Sequence, residues 1–370
     1  MDYDDPQLRD RLTLSMVQGV GPLAMQRLLT HFSSATTVLA ASMGELQYVP
    51  GVGPTLAKRI TMARTEIDVD TQLRLAAEHH IAILTPASAH YPHLLLELPD
   101  PPAVLFVKGE LKDIDGLAVA IVGTRHASRY GLQQAESLAS GLARAGFTVV
   151  SGMARGIDTA AHRGALAAGG RTIAVLASGV LAPYPPENAG LADQIALQGC
   201  VLSEAAPTMP PISGMFPQRN RIISGLTLGT IVVEAADRSG ALITARHAGE
   251  QNRQVFAVPG QVDNANAKGT NRLIRDGAKL VTCLEDVLEE LGPLAQEARR
   301  DDGTTIRAPA ELSLNEIETQ VLQAIDPQGS LIDEITNTAN LPVQRVLATV
   351  SVLEMRGLIR KVSSNRVVRL

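Results

Sequence analysis

Arg219 and Arg221 flank Asn220 in the stretch Phe216-Pro217-Gln218-Arg219-Asn220-Arg221-Ile222-Ile223-Ser224-Gly225-Leu226. A proline-rich, uncharged segment from Pro207 to Pro217 precedes it, and apolar residues at helical spacing follow. Pro217 suits a first helical turn, where a missing N–H leaves no hydrogen bond unmade. That reading puts Arg219, Asn220 and Arg221 near a helix N-terminus, where free N–H groups and the helix dipole favour an anion. A guanidinium is a planar fork matched to phosphate or carboxylate, and two of them in an apolar setting require such a partner. The chemistry expected of the stretch is phosphate binding.

Further loops carry comparable residues. Gly123-Thr124-Arg125 follows one apolar run, and Ser151-Gly152-Met153-Ala154-Arg155-Gly156-Ile157-Asp158 follows the next. Their glycines let backbone N–H groups approach a phosphate at a helix start. Glu234 ends another run, and Ser239-Gly240-Ala241-Leu242-Ile243-Thr244 opens the helix beyond it. Pro259-Gly260 ends a further run, and Lys268-Gly269-Thr270-Asn271 completes the rim. A glycine after a strand is, on its own, most often only a turn. If the runs are parallel strands, however, all these loops share one sheet edge, and Arg125, Arg155, Arg219, Arg221 and Lys268 make it an electropositive pocket.

Catalytic signatures are mostly missing. There is no G-x-x-x-x-G-K-[ST] phrase, and no Gly-x-Gly-x-x-Gly follows a strand. The histidines lack zincin spacing, and Cys200 and Cys283, at no metal-ligand spacing, read as buried apolar thiols, so neither metal nor cofactor is expected. Asp158, Glu204 and Glu234 sit at strand ends, where orienting arginines or capping helices accounts for them better than acid–base work.

The elements that must position these residues follow from the apolar pattern. Two similar phrases, Val17-Gln18-Gly19-Val20-Gly21-Pro22 and Val49-Pro50-Gly51-Val52-Gly53-Pro54, begin 32 residues apart, each reading as helix, Gly-x-Gly turn, helix. They make residues 1–77 a tandem helix-hairpin-helix, SAM-like unit. From 78 to 291 strand and helix patterns alternate, with near-continuous apolar runs at Leu117–Val122, Phe147–Val150, Thr172–Leu176 and Thr230–Ala235. Such runs imply a mostly parallel sheet covered on both faces, hence a doubly wound α/β domain of extended Rossmann type. Residues 292–311 read as a polar linker. Residues 312–370 carry three helical segments and a strand pair turning at Ser363-Ser364-Asn365, the order of a winged helix.

Net charge is −5, with 45% hydrophobic and 19% charged residues, as expected of a well-cored protein of two or three domains. The total conceals an asymmetry. Residues 117–283 hold 15 basic groups, 13 of them Arg, against 10 acidic, while both flanks are acidic. A basic middle of this kind is an electrostatic footprint for a polyanion. No Trp is present and there are only five Tyr and five Phe, so stacking platforms are scarce. The N-terminus is acidic, unlike a signal peptide, and no apolar run approaches the ~18 residues of a membrane span, so a cytoplasmic protein without membrane contact is expected.

Taken together, Tyr91-Pro92, Gly123-Thr124-Arg125, Ser151 to Asp158, Tyr184-Pro185-Pro186-Glu187-Asn188, Leu202-Ser203-Glu204, Phe216 to Leu226, Ser239 to Ala245, Val255 to Gly260 and Gly269-Thr270-Asn271 resemble the DprA/Smf family of bacterial DNA-processing proteins. The resemblance runs through residues 78–290 in unbroken order, and the flanking units fit the plan of longer members. It implies a non-catalytic protein that binds single-stranded DNA, protects incoming DNA in natural transformation and loads a RecA-type recombinase, displacing single-strand-binding protein. It also implies a homodimer formed through the Rossmann domain. The family's basic pocket maps onto Arg125 and, by motif, onto Ser151-Gly152, Arg219-Asn220-Arg221 and Lys268-Gly269. One departure is Leu176-Ala177-Ser178-Gly179-Val180, where relatives carry Gly-Thr-Gly, which puts that loop's ligand contact in doubt. Two other readings compete: a phosphoribohydrolase-type enzyme using Glu234, and a regulatory module holding a small nucleotide.

Overall fold

The computed structural model describes residues 5–291, 298–299, 305–306, 316–326, 329–355, 358–363 and 366–369. Its N-terminal part is helical: α1 (Pro6–Met16), α2 (Pro22–Phe32), α3 (Ala35–Ala40), α4 (Met43–Gln47), α5 (Pro54–Glu66) and α6 (Val69–Glu78). Proline opens α1, α2 and α5, where its fixed φ is already helical. Both Gly-x-Gly phrases are tight turns, with Gly19 (φ 101°) and Gly51 (φ 89°) in the left-handed region. Each turn is held by an arginine from the helix that follows the other turn. Arg59 Nη1 donates to the Gln18 carbonyl (3.0 Å), and Arg27 Nη1 to that of Pro50 (3.1 Å). Leu28, Val38, Leu46 and Ile60 close the core of this unit. Helix α1 bridges to the sheet: its Leu14 belongs to this core, while its Leu8 and Leu12, with Leu73 of α6, pack with Ile81, Ile83 and Phe106 of the sheet.

The sheet comprises β1 (Ile81–Leu84), β2 (Leu105–Gly109), β3 (Ala118–Val122), β4 (Thr148–Ser151), β5 (Thr172–Val175), β6 (Cys200–Ser203), β7 (Gly229–Val232), β8 (Gln254–Ala257) and β9 (Lys279–Leu280), in the order β1-β2-β6-β5-β4-β3-β7-β8-β9. Only the β1–β2 and β2–β6 pairs are antiparallel. The six pairs from β6 to β9 are parallel, which makes the fold the expected doubly wound α/β domain. Between the strands lie α7 (His93–Leu96), α8 (Arg129–Arg144), α9 (Ile157–Ala167), α10 (Ala189–Gln198), α11 (Met215–Gly225), α12 (Ala241–Glu250), α13 (Lys268–Arg275) and α14 (Glu285–Leu291). Strand β3 shows why its run reads as unbroken apolar: Val119 and Ile121 pack under α8 and α9, while Ala118 and Ala120 pack under α11 and α12. Helices α8 and α9 approach so closely that a Cβ on Gly164 would lie 2.5 Å from the Glu136 carbonyl oxygen.

Residues expected to form a linker lie largely outside the described residues; within it β10 (Ala298–Arg299) and β11 (Thr305–Ile306) pair antiparallel. Beyond it, α15 (Glu316–Gln323), β12 (Ser330–Leu331), α16 (Ile332–Ala339), α17 (Val343–Met355), β13 (Ile359–Ser363) and β14 (Arg366–Arg369) form a winged helix. Its strand β12 adds a third member to the expected pair, in the order β12-β14-β13. The turn residues Ser364 and Asn365 lie outside the described residues. Cys200 is buried as expected, whereas Cys283, beside the short edge strand β9, is exposed. Among the described residues no helix is long and apolar enough to cross a membrane.

Candidate nucleic-acid interface

Strand order reverses at β3, with β4, β5 and β6 on one side and β7 and β8 on the other. Open α/β sheets bind ligands outside the strand ends at such a reversal. A hollow of about 670 Å³ opens there. Thr124, Arg125 and His126 form one wall, Phe216 and Asn220 of α11 another, and Ser239, Gly240 and Thr244 a third. Gly123 is obligatory at the turn, because a Cβ would meet Ile157 Cγ1 at 2.5 Å and the Glu234 carbonyl oxygen at 2.9 Å. The backbone beyond is anchored by Thr124 N–H, which donates to that carbonyl (2.7 Å). Arg125 is exposed and makes no ion pair among the described residues. Its guanidinium carbon lies 5.2 Å from the centroid of the Phe216 ring, whose edge meets Tyr184 with 5.9 Å between centroids.

The two arginines of α11 differ from the expectation. The helix begins at Met215, so Pro217 is its third residue and Arg219 to Arg221 fall in the second turn, past the free N–H groups. Both are buried. Arg219 Nη1 donates to the carbonyls of Gly152 (2.6 Å) and Val175, which ties α11 to the ends of β4 and β5. Its guanidinium forms part of the hollow's floor. Burial pushes its pKa down to about 10 against the pull of Asp158, with Arg125 adding to the fall, so it stays charged at neutral pH. Arg221 is corrected outright. It lies outside the hollow, Nη2 meeting both Glu204 oxygens (2.6 and 2.7 Å) and Nη1 the Asp100 carbonyl (2.6 Å). One amino group of its fork is taken by carboxylate and the other by a backbone carbonyl, so the fork is not offered to the hollow. Asn220 Nδ2 donates to the Gly240 carbonyl (3.3 Å), joining two walls.

Several other expected residues are engaged in the protein's own contacts or stand outside this hollow. Ser151 is buried and its hydroxyl donates to the Ile121 carbonyl (2.6 Å). A Cβ on Gly152 would sit 2.2 Å from Arg219 Nη1, so this glycine makes room for the arginine, not for a ligand. Gly156 (φ 76°) passes beneath the Thr124 carbonyl, which a Cβ would approach to 2.4 Å. Arg155 is exposed, pairs with Glu187 and borders a neighbouring hollow. Lys268, Gly269 and Asn271 line neither hollow. Gly269 N–H is bonded to Ala235 (2.8 Å), Asn271 exchanges two hydrogen bonds with Gly260, and Lys268 is exposed on the same sheet edge farther out. No residue of the Leu176-to-Val180 loop lines either hollow, and Gly179 is packed against the carbonyls of Ala206 and Pro207.

The carboxylates behave as orienting groups. Glu234 accepts from Ser128 N–H (2.9 Å) and from Ser128 Oγ (2.5 Å) with its two oxygens, while Ser128 caps α8. Asp158 lines the hollow and accepts from Ala154 N–H (3.3 Å). Burial pushes its pKa up to about 6, against the stabilising charge of Arg219, the N–H groups of Ala154 and Gly152, and Arg125. His126 and Asp158 line the hollow without having been selected for binding, although His126 adjoins the Gly123-Thr124-Arg125 motif and Asp158 closes the one that begins at Ser151.

Comparison with known proteins agrees with this architecture. A family model described as DNA recombination-mediator protein A matches residues 82–292, a DprA winged helix domain matches 306–365, and a SAM-like helix-hairpin-helix tandem matches 11–65. Protein Smf of Synechocystis sp. is 34% identical, with 94% of this chain and 95% of that protein covered. The X-ray structure of DNA processing protein A from Streptococcus pneumoniae is 38% identical with a TM-score of 0.65, covering 76% of this chain and 95% of that chain. A structure of DNA processing protein A from Helicobacter pylori, described for its single-stranded DNA binding mode, is 32% identical with a TM-score of 0.52 and covers 58% of this chain and 97% of that chain. Matched over more than half its length by one family model, and nearly end to end by a curated relative, the chain belongs to the DNA recombination-mediator protein A family, the DprA/Smf proteins.

Proposed function

We propose that the protein is a non-catalytic single-stranded DNA-binding protein whose phosphate grip is the hollow at the β3/β7 reversal. The observation that carries this reading is Arg125, a cation exposed at the rim, free of carboxylate partners among the described residues and held over Phe216. A guanidinium so placed can meet a phosphate with its edge while an adjacent base packs near Phe216 and Tyr184. Loop backbone at Ser239-Gly240 and the buried charge of Arg219 below add to the attraction. The Helicobacter pylori relative described as binding single-stranded DNA supports the ligand class. Against hydrolase chemistry, both oxygens of Glu234 are occupied by Ser128.

The wider role follows the same reading. The bound strand is shielded, passed to a RecA-type recombinase as single-strand-binding protein is displaced, and gripped twice by a homodimer joined through the Rossmann domain. Pairing two short contacts raises avidity through effective concentration. Fluorescence anisotropy with single- and double-stranded oligonucleotides, across a salt series, tests the central claim on the full chain. Tight, salt-sensitive and sequence-tolerant binding of the single strand is expected. Binding of adenosine monophosphate with no affinity for oligonucleotide would overturn it.

A further inference from the structure

A second hollow, of about 370 Å³, adjoins the first, and Arg125 and His126 line both. It lies where the N-terminal halves of α8 and α9 meet the β3–α8 loop. Its other cations are Arg155 and Arg163, and its one lining carboxylate is Glu136. Arg163 projects from the middle of α9, is exposed, and has no ion pair or hydrogen bond among the described residues. Nothing in the fold requires a guanidinium there: Ala160 and Gly164 on the same helix are buried and do the packing. Arg155, in contrast, is held by Glu187 in a pair about half exposed on both sides. Exposed pairs of that kind are weak, so the guanidinium can turn to a stronger anion. Leu132, exposed at the mouth, supplies an apolar wall against which a base can rest.

The ridge between the hollows is equally specific. It is the Thr124–Arg125 backbone, which crosses over Gly156 so tightly that no side chain fits beneath it. A polyanion seated in the first hollow on Arg125 therefore meets, on the far side of that ridge, a second depression with its own cations rather than a neutral surface.

From this juxtaposition we infer that the second hollow is a further phosphate subsite for single-stranded DNA, in which Arg163, aided by Arg155, grips the backbone after it passes over Arg125 toward the α8–α9 face. The inference rests on the proposed function and adds to it a direction for the strand and a contact that none of the motifs contains.

The test uses the full chain with oligothymidylates of increasing length and compares Arg163→Ala, Arg163→Glu and Arg163→Lys with the unsubstituted protein. For long oligomers Arg163→Ala is expected to weaken binding several-fold and to make the slope of log affinity against log salt shallower by about 0.7, the loss of one phosphate contact. Arg163→Glu weakens binding further and Arg163→Lys restores most of it. On the shortest oligomer that still binds through Arg125, all three match the unsubstituted protein. Unchanged affinity and salt slope for Arg163→Glu on every length, while Arg125→Ala still weakens binding, would overturn the subsite and leave the proposed function standing. An equal loss on the shortest and longest oligomers would also overturn it, since Arg163 would then act through the first hollow. If the unsubstituted protein binds no oligonucleotide, the proposed function itself fails. Melting temperatures equal to that of the unsubstituted protein, expected for an exposed and unpartnered side chain, keep these outcomes free of folding effects.

Discussion

Replacing Arg125 by Ala isolates the contact on which the reading depends. Its guanidinium is exposed, touches the Phe216 face and makes no ion pair among the described residues, so removal leaves no charge stranded in the protein. An exposed cation–π contact contributes about 0.5–1 kcal/mol, and the fold should lose no more than that. In the complex the loss is larger. A hydrogen bond to a charged group contributes about 1.5–3 kcal/mol, and each 1.4 kcal/mol is a factor of ten, so affinity for a single strand should fall roughly 10- to 100-fold. The salt slope should also become shallower by about 0.7 for the one phosphate given up. Arg125→Lys should fall between the two, keeping the charge but losing the planar stack. Fluorescence anisotropy with labelled oligothymidylate at several salt concentrations reads both quantities, and urea unfolding checks stability. If Arg125→Ala bound as tightly as the unsubstituted protein at moderate salt, with the same slope, the hollow would not be the phosphate grip.

Arg221→Ala should behave in the opposite way, destabilising by about 3 kcal/mol because Glu204 is left without its charged partner, while affinity per folded molecule stays unchanged; urea midpoints and binding titrations separate the two effects. Protonation of Asp158, whose carboxyl burial pushes up to about 6, would remove a negative charge from beside the proposed phosphate, so single-strand affinity should rise as pH falls from 7.5 to 5.5, and Asp158→Asn should flatten that rise relative to the unsubstituted protein. Stability should carry two opposed linkages. His162 is fully buried, with Nδ1 bonded to Thr172 Oγ1 (2.7 Å), and burial with Arg219 nearby pushes its pKa down to about 3. Its contribution is present above the ordinary value of 6.5 and is lost as pH falls, about 2 kcal/mol by pH 5. Asp158, raised above its ordinary 3.8, contributes most at low pH and loses that contribution as pH rises through 6, so it returns about 1 kcal/mol over the same acid step. Urea unfolding at pH 7 and pH 5 should therefore show a larger acid loss in Asp158→Asn and an acid gain in His162→Gln; identical differences in all three proteins would refute the pairing.

The parallel strands were legible because burial on both faces leaves little room for polar residues, as in Ala118–Val122. The motif loops were legible for a related reason: a glycine such as Gly156 marks a backbone crossing that no other residue allows. Burial of a charge was not legible. Arg219 and Arg221 stand two positions apart on one helix, yet one points to backbone carbonyls and the other to Glu204 and Asp100, partners supplied by distant segments. The start of α11 was also hidden, since Gly214 offers no capping side chain and Pro217 is tolerated anywhere among the first unbonded N–H groups. Lys268 shows the limit of edge reasoning: strand direction assigns a loop to an edge, but its distance from the reversal point depends on strand order. Strand β12, two residues long, offers no alternation to read.

The α1 and α6 residues that pack beneath the sheet make the junction near residue 78 a seam rather than a hinge. A chain cut there would bare Ile81, Ile83 and Phe106 together, on the edge strand β1 and its neighbour β2, and invite self-association through a freshly opened apolar face. The helical unit itself resists halving, since Arg27 and Arg59 each secure the turn that the other's helix follows. Removal of this N-terminal region is thus all-or-none: a shortened chain must either keep both hairpins with their flanking helices or cover the bared face of β1 and β2 with something else.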